Sequence, residues 1–122
     1  EGRPLHVNGD GSQSRGFTYI DDIARGSILG LKPLGYEVIN LGGHESITIN
    51  DLIAMIEEML GRKAAIEHHP FHPADMMNNL ADVRKAKNML GWQPQVGLRE
   101  GVRNLVDWYL ADRDWASQVM TE

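Results

Sequence analysis

Along the chain, short apolar runs alternate with longer stretches in which apolar residues recur every three or four positions. Leu5 and Val7 alternate with His6 and Asn8, which predicts a short strand ending at Gly9. Phe17 to Ile20 reads as a second extended run. Asp21 or Asp22 then offers an N-cap to a helix with Ile23, Ser27, Ile28 and Leu31 on one face. Pro33 and Gly35 end it. The run "YEVINLG", 36–42, reads as a strand apolar enough for burial on both faces, stopping at Gly42-Gly43.

The second half carries the clearest periodicity. "SITI" is extended, Asn50 is the expected cap, and Leu52, Ile53, Ile56, Met59 and Leu60 form a helical stripe closed by Gly61. "AAIEHH" predicts a strand broken by Pro70 and Pro73. Asp82 caps a short helix with Val83, Ala86 and Leu90 inward. Leu98, Val102, Leu105, Val106 and Tyr109 define a last helix that continues toward Trp115. Strands and helices alternate, so the fold class is α/β. With 122 residues and no linker or repeat, a single domain over 1–122 is expected.

Composition narrows the function. The net charge of -5 argues against a nucleic-acid partner held by a basic face. Cysteine is absent, which removes disulfides and thiolate metal sites. No apolar run approaches the roughly 20 residues that span a bilayer, so no membrane association is expected. The opening residues "EGRPLHVNGD" lack a signal-peptide pattern and an initiating methionine, and a chain cut from something longer is expected.

"GDGSQSRGFTYIDD", 9–22, holds more polar residues than a turn requires. Its glycine spacing imitates the dinucleotide fingerprint, but that fingerprint needs a helix directly after it to hold a pyrophosphate. An extended run follows here, so the dinucleotide reading fails. What remains is a polar loop delivering Arg15, whose planar fork suits phosphate, or else a solvated surface arginine. "EHHPFHPAD" groups His68, His69, His72 and Asp75. Adjacent strand residues point to opposite faces and two prolines stiffen the path, so zinc ligation is not expected there. No Tyr-x-x-x-Lys pair and no Gly-x-Ser-x-Gly elbow occur, and no catalytic residue is assigned.

Three segments in order carry a family resemblance. "PLHVNGDGSQSRGFTYIDDIARG" resembles "VYGDGxQxRDFxYVDDIV" of the extended short-chain dehydrogenase/reductase enzymes acting on nucleotide-sugars. "YEVINLGGHESITINDLIAMIEEMLGRKA" is similar to their "NLGSGxxxSxxELIxxIExxxGKKA". "HPADMMNNLADVRKAKNMLGWQPQVGLREGVRNLVDWYL" resembles their closing run "QPGDVxxTxADIxKAxxxLGYxPxxxLEEGLxxFVxWY". The likeness runs from Pro4 to about Leu110, and its closing run is nearest to UDP-glucuronate or UDP-glucose 4-epimerases. Decarboxylase relatives usually carry a proline where this chain has Ala81.

The resemblance implies the C-terminal, substrate-binding part of a Rossmann-like enzyme, without its dinucleotide-binding half. It places Arg15 on the diphosphate of a UDP-sugar and Asp75 against the ribose. His72 stands where relatives have arginine or glutamine, and Asn8 where they often have an aromatic on the base. Gly16 and Ala74 replace a usual aspartate and glycine. NAD is implied for the longer parent and not for this segment, and no metal is implied. The parent's NAD would oxidise the sugar at C4 and return hydride to the other face. A cytoplasmic setting and a homo-oligomer that covers exposed apolar surface are expected. A UDP-sugar decarboxylase, a dTDP-sugar dehydratase, a stand-alone binding module and an inert α/β domain stay open as alternatives.

Overall fold

A computed structural model describes residues 3–119. The elements run β1 (Leu5–Asn8), β2 (Ser14–Gly16), α1 (Ile20–Leu29), β3 (Ser46–Thr48), α2 (Ile49–Leu60) and β4 (Ile66–His69). They continue with β5 (Asn78–Asn79), α3 (Arg84–Leu90), α4 (Leu98–Ala111) and α5 (Arg113–Ala116). The strands form two small sheets. In one, β1 pairs with β4 in parallel; in the other, β2 lies between antiparallel β3 and parallel β5. β1 and β2 therefore belong to different sheets, and the loop between them is a crossover.

α2, α3 and α4 follow their stripes, whereas α1 does not. It ends at Leu29, turns Asp22 and Gly26 inward, and leaves Ser27 and Ile28 of the expected face exposed, with Leu31 84% exposed beyond it. The core it meets is the Trp92 indole rather than an apolar stripe. α2 packs on α4, and Ile53 of α2 and Val102 and Val106 of α4 are buried. Its cap is Thr48 and not Asn50: Asp51 N donates to Thr48 Oγ1 at 3.0 Å, because the strand ends one residue before the helix. Gly61 closes α2 at φ 62°, in the left-handed region glycine tolerates. The N-cap of α3 is Val83 and not Asp82, and it makes no side-chain cap bond; Asp82 lies one residue earlier, where its carboxylate accepts from Arg84 N at 3.0 Å. Hydrogen bonds from the Arg84 side chain and then its N–H hold the Asp82 carboxyl down at about 2. Beyond α4 the chain breaks at Asp112 and resumes helix, bringing Trp115 edge-on to Trp108 with ring centres 6.1 Å apart.

Two expected strands differ. No part of 36–42 is a strand; it runs irregularly with Tyr36 93% and Val38 66% exposed. Among the described residues no strand lies beside it, and an unpaired backbone cannot make a ladder. Ile39 and Leu41 instead pack against the core. Phe17–Tyr19 is not a strand, the pairing having been made earlier by Ser14–Gly16, and α1 begins at Ile20 without a side-chain cap. Gly43 lies against the Phe17 carbonyl so closely that any side chain there would overlap it.

The core centres on Trp92, wholly buried with Ala86 and Leu90, and flanked by Leu29, Leu34, Ile39, Leu41, Val83 and Met89. Asp22, expected as a cap, does different work. Its carboxylate is buried and accepts from Arg25 Nη2 at 2.7 Å, Gln95 N at 2.9 Å and Val96 N at 3.0 Å. Its main-chain oxygen accepts from Trp92 Nε1 at 2.8 Å. Arg25 also donates to Gln93 O at 2.7 Å and lies over the Trp92 ring. α1 and the segment after α3 are thus tied by one residue.

Burial pushes the Asp22 carboxyl up, but the Val96 N–H, Arg25 and the Gln95 N–H together outweigh it and hold its pKa below 3.8. A depressed carboxylate stabilises fully above its unfolded value, and that contribution is lost as pH falls through the native value. Chemical unfolding should therefore show a loss of stability below about pH 4. Asp22→Asn should cost about 1–3 kcal/mol at neutral pH and flatten that acid slope, because the amide cannot accept at both oxygens. At Gly26 an added Cβ would lie 2.8 Å from Trp92 Nε1. Gly26→Ala should cost about 1–3 kcal/mol by overpacking, read as a lower denaturation midpoint with unchanged slope.

Candidate functional site

The glycine loop is built to turn and to hold the start of α2. Gly9 and Gly11 have φ of 72° and 79°, and Asn50 fills the space a Gly11 side chain would need. Asn50 Nδ2 donates to Asp10 O at 2.9 Å, Asn50 N to Gly11 O at 3.1 Å and Ile49 N to Gln13 O at 3.0 Å. Loop carbonyls thus face the α2 N-terminus, whereas an anion site there would require free N–H groups. Ser12 donates from both N and Oγ to Asp10 Oδ1, and the bond from its hydroxyl is the largest cause of the lowered Asp10 pKa. Gln13 is buried, and its Nε2 donates to Asn8 O at 2.7 Å. The residues surplus to a turn therefore plug the loop and lead into β2.

β2 brings Arg15 to Asp75. Parallel pairing sets Ser14 opposite Asn78 and Arg15 opposite Asn79. Ser14 N donates to Met77 O and Ser14 Oγ to Asn78 Oδ1, each at 2.7 Å. Asp75 and Met76 consequently lie beside Arg15. Nη1 of Arg15 donates to Ser14 O at 2.8 Å and Met76 O at 2.6 Å, and Nη2 is paired with Asp75 Oδ1. Both side chains are about a quarter exposed, 24% and 29%. Nε and one Nη2 proton of Arg15, with Oδ2 of Asp75, have no partner among the described residues.

The other two candidates stand differently. His72 is exposed and shapes the turn holding Asp75: Asp75 N donates to His72 O at 2.8 Å, and Ala74 N to His72 Nδ1 at 3.2 Å. Asn8 lies on the other sheet, opposite His69, and only its main-chain oxygen is bonded. Linear reading passed over Phe71. Its ring lies over Gly9, with Cδ2 3.1 Å from where a Cβ would stand. An exposed aromatic between Pro70 and Pro73 was the available signal.

The grouped histidines are not brought together. His68 Nδ1 bonds Gly9 O at 2.8 Å, while His69 turns to His6 and Glu67. That second cluster is the described group with metal-ligand spacing. Separately, a groove of about 610 Å³ is lined mainly by Phe17, Leu52, Ile56, Leu98, Leu105 and Trp108, away from Arg15 and Asp75. Exposed Ile28, Leu31, Tyr36 and Val38 add a further apolar face. Among the described residues, no helix is long and apolar enough to cross a membrane.

The profile of the GDP-mannose 4,6 dehydratase family matches residues 1–105. A UDP-glucuronate 4-epimerase of Thermodesulfobacterium geofontis is 50% identical over 109 residues, covering 88% of this chain and 34% of that protein. A UDP-glucuronic acid decarboxylase 1 of Danio rerio is 32% identical over 109 residues, covering 89% and 26%. The crystal structure of a Bacillus cereus UDP-glucuronic acid 4-epimerase, in complex with UDP-glucuronic acid and NAD, superimposes with a TM-score of 0.81. It is 37% identical over 89% of this chain and 36% of that one. The chain thus spans about a third of the length of the relatives it matches. It belongs to the GDP-mannose 4,6 dehydratase family of NAD-dependent epimerases and dehydratases, and its fold is that of the C-terminal part of an extended short-chain dehydrogenase/reductase.

Proposed function

We propose that this chain is the nucleotide-sugar-binding part of an NAD-dependent UDP-sugar 4-epimerase, with UDP-glucuronate as substrate. The observation that carries the reading is the Arg15–Asp75 pair, in a chain 50% identical to a UDP-glucuronate 4-epimerase. Arg15 is already held by Asp75 and two carbonyls, so little side-chain freedom is lost when its remaining N–H groups meet a diphosphate. Asp75 Oδ2 accepts from a ribose hydroxyl while Oδ1 keeps the guanidinium in place. Phe71, above Gly9, offers the base a face that Asn8 does not, and exposed His72 shapes the turn that holds Asp75. Gripping the nucleotide in this way holds the sugar in reacting geometry.

NAD supplies hydride transfer in this reading, and it is held outside these residues. The glycine loop leads into β2 and turns its carbonyls to α2, so it does not fit a pyrophosphate. The apolar groove and the Ile28–Val38 face serve as packing surface for the remainder of an enzyme of the relatives' length, or for a second copy of the chain. The decarboxylase reading rests on lower identity, 30% to 34% against 50%.

Calorimetric titration with UDP tests the site. Arg15→Ala should weaken binding about ten- to a hundredfold, as expected for a charge-assisted contact, and Arg15→Lys should recover part of it. Equal affinity in wild type and Arg15→Ala would remove Arg15 from the site. Phe71→Ala should weaken UDP more than it weakens inorganic diphosphate, because only the former has a base to stack. For the reaction, the product of the whole gene incubated with UDP-glucuronate and NAD should form the C4 epimer without releasing carbon dioxide. Stoichiometric carbon dioxide would establish the decarboxylase instead.

A further inference from the structure

β1 and β4 place four polar side chains on one face of their small sheet. The register sets His6 opposite Glu67 and Asn8 opposite His69, and strand alternation brings His6, Asn8, Glu67 and His69 to the same side. Chain order hides this, since β1 and β4 lie at opposite ends of a long crossover. His6 Nε2 is 3.8 Å from Glu67 Oε2, and His69 Nε2 is 3.4 Å from Glu67 Oε1. The three ligand atoms lie within 4.8 Å of one another. Tetrahedral zinc at 2.0–2.1 Å from each ligand needs them about 3.3 Å apart, so their separations must close by up to about 1.5 Å.

A second observation points the same way. His69 Nε2 is itself covered from solvent although its side chain is 39% exposed. It makes no well-aligned hydrogen bond, its carboxylate neighbour being Glu67 Oε1 at 3.4 Å; a covered ring nitrogen normally finds a partner. The His6 and His69 rings stack at 4.7 Å with planes 18° apart. Parallel rings cannot both aim a lone pair at one ion, so His6 must rotate. Its side chain is 63% exposed and is not bound on any other side among the described residues. Two imidazoles and one carboxylate with a position left for water form a donor set suited to zinc.

We propose that His6, Glu67 and His69 bind a zinc-type divalent cation that clamps β1 to β4. The site is independent of Arg15 and of the nucleotide reading. Titration with Co²⁺, followed by its visible absorption and reversed by Zn²⁺, reads it directly on the protein as expressed and stripped with chelator. Wild type should bind one ion per chain, and zinc should raise the thermal midpoint. His69→Ala should lower zinc affinity by at least about a hundredfold, more than loss of an outer contact does. His6→Ala, which removes an exposed ring, should do the same and provides the test if His69→Ala fails to fold. His44→Ala should leave binding unchanged. Absence of saturable binding, or equal binding by wild type and His6→Ala, would overturn the site. Binding lost in His72→Ala but kept in His6→Ala would assign the ion to the proline-flanked loop and overturn it too.

Discussion

A single buried carboxylate holds the α1 end of the molecule together. Asp22 accepts two backbone N–H groups from the segment after α3, neutralises Arg25, and takes the Trp92 indole proton on its main-chain oxygen. A buried charge without partners would be costly, and here each lone pair in use meets a donor fixed by other structure. Trp92 is wholly buried because its one polar atom is satisfied there. Gly26 leaves room for that ring one turn along α1. The core is therefore specified by polar geometry as much as by apolar area.

From that frame the candidate site follows through strand pairing. β2 is only three residues long, yet its parallel contact with β5 decides that the loop ending in Asp75 comes to Arg15. The loop before β2 is spent on structure: Gly11 and Gln13 offer their carbonyls to α2, and the Gln13 side chain fills the space beneath Asn8. A fingerprint-like glycine spacing thus serves helix capping, the reverse of anion binding. Spacing could not separate the two, because both use glycine for the same backbone freedom.

Apolar residues stay exposed over part of this fold. Tyr36 and Val38 face solvent in a run whose composition suits a buried strand. A strand is a property of two chains side by side, and propensity has no force where no neighbour accepts its hydrogen bonds. Relatives about three times longer share this portion at high structural similarity, consistent with a surface shaped for packing.

Much was legible in the sequence where the signal is local. The stripes of α2 and α4, the Gly61 stop, the β1 and β4 runs and the glycine turn at 9–11 depend on residues within a few positions of each other, and three ordered motifs carried the family. Only tertiary structure decided that Asp22 binds the backbone at 95 and 96, that Arg15 meets Asp75 across 60 positions, and that His6 joins Glu67 and His69. The physical reason is the same in each case. Helical periodicity and turn chemistry are written into neighbouring dihedrals, whereas a hydrogen bond between distant residues exists only once strand register has chosen which side chains share a face.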